Sequence, residues 1–244
     1  MTFTVMAKCP DTGAVGIGIA TASANCSKTL PHTKGLLPTI DPKGAIVCSQ
    51  SMCNPTLAYS AFELLDQGKS FDDIERAFAA GDEGLGYRQV GIVTAAGDVW
   101  AFTGENCFPE KGHYVGDDFL VMGNCLGVDT LDGMRAAYEA GAGTDLAERL
   151  LGTLEAGRAS GGQYWEGAPI PELFCSLSVY DGKNPYPKVD MRVDFDLSAI
   201  EKMRRMYDQL QAPTEQYFDA MYRRPEEFKD SASHLLLGVA AKQI

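Results

Sequence analysis

Met1-Thr2-Phe3-Thr4-Val5-Met6-Ala7 opens the chain, and the reading of the fold turns on this stretch. Residues 3–7 are apolar and partly β-branched, which is a strand signal, and a hydroxyl residue stands at the strand's mouth. Removal of Met1 would make Thr2 the first residue, with its hydroxyl and a free α-amine on one framework. That pair is a minimal nucleophile-and-base unit. An unperturbed α-amine titrates at about 7.7–8.0, so it can take the hydroxyl proton near neutral pH without a histidine. Residues 15–20 form a second apolar run, and Pro10-Asp11-Thr12-Gly13 between the two reads as a hairpin turn.

Outward from this hairpin the pattern alternates between strands and helices. A loop rich in Ser, Thr, Pro and Gly over residues 21–44 leads to a third strand at 45–49. Asn54-Pro55 then opens a helix whose apolar positions run from Leu57 to Leu65 and end at Gly68. Ser70-Phe71-Asp72-Asp73 starts a second helix that reaches Gly81. Strands at 89–94 and 99–103 flank a second hairpin turn, and 119–122 is a further short strand. Helices follow at 129–140 and 144–156, the latter with Gly157 as its stop. Strands at 173–180 and 188–193 and a helix at 197–211 complete the pattern.

Strands in hairpins imply antiparallel pairing, and helices in consecutive pairs imply two helical faces. The expected fold is α+β, a four-layer α-β-β-α sandwich. Gly16-Ile17-Gly18-Ile19 and Gly91-Ile92-Val93 suit strands buried on both faces. Residues 1–212 are expected to form this domain and 213–244 a C-terminal helical extension. Tyr217, Phe218, Met221 and Tyr222 fall at helical spacing there, offering a surface for the body or for a homo-oligomer.

Composition removes several function classes. The 244 residues carry a formal net charge of −12, which disfavours nucleic acid and anionic membrane as partners. The seven cysteines are scattered without a Cys-x-x-Cys, and His32, His113 and His234 lack zinc-site spacing. Neither a basic start followed by an apolar core nor a run of about 20 apolar residues occurs, so the expectation is a reduced cytoplasmic protein.

Several segments together resemble one branch of the N-terminal nucleophile (Ntn) hydrolases, the family of unknown function DUF1028. They are Met1 to Ala7; Ser49-Gln50 with Asn54-Pro55 and Glu63-Leu64-Leu65; and Tyr87-Arg88-Gln89-Val90-Gly91-Ile92-Val93. Further on come Ala101-Phe102-Thr103-Gly104-Glu105-Asn106-Cys107, Gly112-His113, Gly123-Asn124 and Val189-Asp190-Met191-Arg192-Val193-Asp194. The resemblance runs over roughly residues 1–200 and implies an amidohydrolase acting on a small molecule or short peptide. Thr2 would be the nucleophile and Ser23 a polar partner, while Gly123-Asn124 is either an oxyanion donor pair or a strand-end turn. Lys28 and Ser49 lie where related hydrolases place further polar partners. The scheme requires no metal and no organic cofactor.

Each remaining candidate has two readings. Arg88 and Gln89 bind a substrate carboxylate or form an ion-paired surface step. Glu105 is an acid-base group or a solvated turn carboxylate. His113 titrates beside substrate or caps a backbone group. There are also departures from the resemblance. Better-known Ntn enzymes carry Asp-Ser at the end of the second strand, where this chain has Ala22-Ser23, and their lysine could match Lys28 or Lys34. Gly161-Gly162-Gln163-Tyr164-Trp165-Glu166-Gly167 and Cys175-Ser176 replace the family's Gly-Asp…Arg-Gly…Gln-Ser stretch, which would mean a different ligand if that stretch binds one. These departures keep a rival reading open: a non-catalytic binding or scaffolding protein on the same fold.

Overall fold

A computed structural model describes residues 1–23, 38–41, 43–183, 186–210 and 224–226. The chain divides into two compact units, residues 1–203 and 204–244. Lys28, Lys34 and almost all of the expected C-terminal extension lie outside the described residues.

Strands β1 (Thr2–Lys8) and β2 (Val15–Thr21) form the expected hairpin, with Lys8 opposite Val15 and Thr2 opposite Thr21. β1 also pairs antiparallel with β8 (Phe119–Asn124), placing Asn124 beside Thr2 on its other flank. With β7 (Gly112–Val115), β11 (Phe174–Tyr180) and β12 (Val189–Asp194) they build a six-stranded sheet in the order β12-β11-β2-β1-β8-β7. The second sheet has the order β3-β4-β5-β6, from β3 (Pro38–Ile40), β4 (Ile46–Ser51), β5 (Arg88–Val93) and β6 (Val99–Thr103). A small ribbon pairs β9 (Gln163–Trp165) with β10 (Ala168–Ile170).

Two apolar clusters fix the layers. Met6, Ile17 and Ile19 of the first sheet pack with Ile46, Cys48 and Val93 of the second, so the two sheets lie face to face. On the far side of the second sheet, Val47, Val90 and Ile92 pack against Leu57, Ala58 and Ala61 of α1 (Thr56–Asp66) and Ile74 and Phe78 of α2 (Phe71–Gly81). Helices α3 (Thr130–Ala140) and α4 (Leu146–Ala159) cover the outer face of the first sheet. The approach is close: a Cβ on Gly16 would lie 2.7 Å from Leu150 Cδ1. Strand periodicity then sorts β1, sending Phe3 and Val5 toward the helices and Thr2, Thr4 and Met6 into the space between the sheets. The last helix, α5 (Ala199–Leu210), buries Ala199, Ile200 and Met203.

Two expectations need correction. Gly157 does not stop its helix, which continues to Ala159. It sits where α4 meets α3, and a Cβ there would lie 2.7 Å from Met134 Cγ, so the glycine serves packing. The short strands β3, β7, β9 and β10 were not expected from the pattern. All are sheet-edge or ribbon strands of three or four residues, with no continuous apolar run to mark them.

Capping follows the sequence signal at α2, whereas α1 starts one residue later than expected, with Pro55 rather than Asn54 at its cap position. Ser70 and Asp73 form a reciprocal capping box at the start of α2. Asn54 Oδ1 accepts from the Thr56 N–H at 3.1 Å, ordering the entry to α1 behind Pro55. In the second unit, Arg204 Nη1 pairs with Asp208 Oδ1 at 3.3 Å.

Candidate active site

The hairpin register brings Thr2, Thr21 and Asn124 into one row across three neighbouring strands. The Thr2 side chain is almost wholly buried, and its Oγ1 donates to Thr21 Oγ1 at 3.0 Å. Thr21 Oγ1 in turn donates to the Met1 carbonyl oxygen and accepts the Ser23 N–H at 3.1 Å. Ser23 therefore enters the row through its backbone. Beside it the Met1 amine is held below its ordinary value, first by burial, while the neighbouring Cys125 thiol acts in the opposite sense.

Facing this row, the second sheet presents Gln50, Gln89 and Thr103, which are directly opposite one another on β4, β5 and β6. Thr4 Oγ1 donates to Gln50 Oε1 at 2.7 Å, and Gln50 Nε2 donates to Gln89 Oε1 at 2.6 Å. Asn124 Nδ2 donates to the same Gln89 oxygen at 3.1 Å. The Gln89 nitrogen reaches Thr103 Oγ1 at 2.9 Å and the carbonyls of Gly112 and Gly123 at 2.8 and 3.0 Å. Gln89 thus ties both sheets together at one end of the sandwich. A chain of buried amides polarises along its length, so this seam holds its members in one arrangement.

Thr103 carries the seam outward to His113, with Oγ1 and Nδ1 2.8 Å apart. The Thr103 hydroxyl can donate to a bare Nδ1 or accept from a protonated one, so the tautomer of His113 sets the direction of this bond. His113 is an exposed residue, yet partial desolvation of its ring holds its pKa below the ordinary histidine value, which favours the neutral form.

Ser49 and Arg88 fall on the opposite face of the second sheet. Ser49 Oγ accepts the Asn54 N–H at 3.0 Å at the head of α1. The Arg88 guanidinium pairs with Asp82 at 3.0 Å and also donates to the Met52 carbonyl oxygen, and this ion pair keeps the Asp82 carboxyl below its usual range. Glu105 is an exposed turn residue whose backbone carbonyl accepts from Lys111 Nζ. The structure therefore gathers Thr2, Asn124, Gln89 and His113 into one connected region and leaves Ser49, Arg88 and Glu105 outside that network.

Thr4, Thr21, Gln50 and Thr103 were not singled out from the sequence. Thr21 had a legible signal, because a hairpin closing at Lys8 and Val15 sets Thr21 opposite Thr2. Two more features mark this end of the sandwich. Ser51 and Cys125, each following a member of the seam, adopt left-handed backbone at φ 68° and 56°. Asn124 Oδ1 and Ser51 Oγ are buried without a hydrogen-bond partner among the described residues. Unpaired buried polar atoms and strained backbone are both costly, at about 1–3 kcal/mol each.

The family model described as "Family of unknown function (DUF1028)" matches residues 2–203, and the chain belongs to that family. The chain is similar to the solved structure of protein SPO2555 from Silicibacter pomeroyi, described as a DUF1028 protein. The two are 26% identical with a TM-score of 0.74, over 89% of this chain and 88% of that one. Anbu (ancestral beta-subunit) from Yersinia bercovieri is similar at 9% identity and a TM-score of 0.41, over 86% of this chain and 93% of that one. No curated protein matches the chain. Among the described residues, no helix is long and apolar enough to cross a membrane.

Proposed function

We propose that this protein is an Ntn-type amidohydrolase that cleaves an amide bond of a small molecule or short peptide, with Thr2 as its nucleophile. The observation that carries the reading is the placement of Thr2: a buried hydroxyl at the end of a central strand, flanked by Thr21 and Asn124. Loss of Met1 frees the Thr2 amine. The amine then takes the proton of Oγ1 while Oγ1 bonds to the substrate carbonyl carbon.

Asn124 Nδ2 has two N–H groups and gives one to Gln89, so the other serves the tetrahedral oxyanion. Collapse of that intermediate breaks the C–N bond, and the leaving nitrogen takes the proton from the Thr2 amine. Water then attacks the acyl-threonine ester, releasing the acid and restoring the hydroxyl. The left-handed Cys125 and the unpaired Asn124 Oδ1 support a site at this row, since strain and unpaired polar groups concentrate where chemistry is done.

The test is turnover of an amide panel by the wild type, Thr2→Ser and Thr2→Ala. The proposal expects hydrolysis by the first two and none by Thr2→Ala, with unchanged circular dichroism. Hydrolysis that persists in Thr2→Ala would end it.

A further inference from the structure

The fold encloses the peptide bond in front of Thr2. β1 lies between β2 and β8 in the middle of the six-stranded sheet, so Thr2 has a strand on each side rather than a free edge. Met1 is half-buried, and its carbonyl oxygen accepts the Thr21 hydroxyl. Its amine is desolvated beside the Cys125 thiol. The residues behind it are held as firmly: Thr2 is 2% exposed, and Phe3 and Thr4 are 0% exposed. The Phe3 ring packs beneath α4, where a Cβ on Gly157 would lie 3.3 Å from Phe3 Cε2. Thr4 is tied across to the second sheet through Gln50.

We propose that Met1 is removed only before β1 enters the sheet, and that the folded protein resists the aminopeptidase that removes it. The consequence for activity rests on the reading of Thr2 as nucleophile, whereas the protection itself does not. In that cleavage water adds to the Met1 carbonyl carbon and the C–N bond to Thr2 breaks. Methionine leaves as the free acid, and the Thr2 nitrogen takes the proton. The aminopeptidase must first draw the terminal residue into its own site. Here the carbonyl oxygen is held by Thr21, and the bond leads straight into a strand paired on both flanks. Presenting it requires β1 to peel away from β2 and β8 and to uncover Phe3. Cleavage then tracks the rare population of that open state. An unfolded chain has no such barrier, and Thr2 is a small residue. Folding and excision therefore compete once. A chain trimmed first carries the free Thr2 amine, and a chain that folds first keeps Met1 until it unfolds.

The substrate for the test is Met1-bearing protein, produced with the host's methionine aminopeptidase inhibited, and the reference is a free peptide of residues 1–8. Each is incubated with purified methionine aminopeptidase, and mass spectrometry reads the loss of one methionine residue. The peptide should be trimmed, and the folded protein should be trimmed more slowly by about a hundredfold or more. Thr2→Ala should be protected to the same degree, because the protection comes from the strand and not from the hydroxyl. Trimming of the folded protein at a rate closer to the peptide's than that overturns the proposal. So does a peptide that is not trimmed, or loss of Met1 from the folded wild type with no aminopeptidase added. Amide turnover is measured separately on protein that begins at Thr2. Its absence would remove the nucleophile reading and leave the protection result standing.

Discussion

Gln89→Leu is the substitution that most sharply tests how the two sheets are joined. The Gln89 oxygen accepts from Gln50 Nε2 and from Asn124 Nδ2, and its nitrogen serves Thr103 and two glycine carbonyls. Leucine fills a similar volume but removes every one of these bonds. At least two buried donors are then orphaned, each at about 1–3 kcal/mol, so the expected loss is roughly 2–6 kcal/mol, less whatever the apolar side chain restores. Urea denaturation followed by circular dichroism reads this as a lower midpoint at unchanged slope, because the surface exposed on unfolding hardly changes. A loss below about 0.5 kcal/mol would refute the reasoning, since it would mean that the seam is not a connected, water-free network.

Other consequences follow from the same contacts. The folded state favours neutral His113, so the unfolded chain takes up its proton first as the pH falls. The His113 contribution to stability should be complete above about pH 6.5 and be lost as the pH drops through the lower folded value, and the difference between wild type and His113→Gln in denaturation midpoint against pH reads this directly. Arg88→Met should cost roughly 3 kcal/mol in urea denaturation, because it leaves the largely buried Asp82 carboxylate without its cation. Gly157→Val should cost about 1–3 kcal/mol, because its Cβ lands on Met134 between α3 and α4.

The sequence conveyed the layers well because their signals are local. Apolar runs, turn residues and cap residues placed β1, β2, β5, β6 and the five helices within a few residues. The shortest edge strands, β3 and β7, carried no such signal: β7 reads Gly-His-Tyr-Val, half exposed, and exists because β8 offers it a partner. The site was legible only in part for a related reason. Thr2 is marked by its position, and Asn124 by a strand end. The seam, however, joins Thr4, Gln50, Gln89 and Thr103, which are separated by up to 46 residues between bonded neighbours. No spacing rule within one element announces such a cluster. Ser49 and Arg88 show the same limit from the other side, because alternation along β4 and β5 turns them away from Thr2 once Gln50 and Gln89 face inward.

The most direct test of the central claim combines intact mass with covalent labelling. Protein from its native source would be weighed to identify its first residue and then treated with a reactive β-lactone, with Thr2→Ala as control. The account predicts a chain beginning at Thr2 that gains one acyl group on that residue, and no label in the control. A chain that keeps Met1 and takes no label would contradict it and favour a fold used for binding alone.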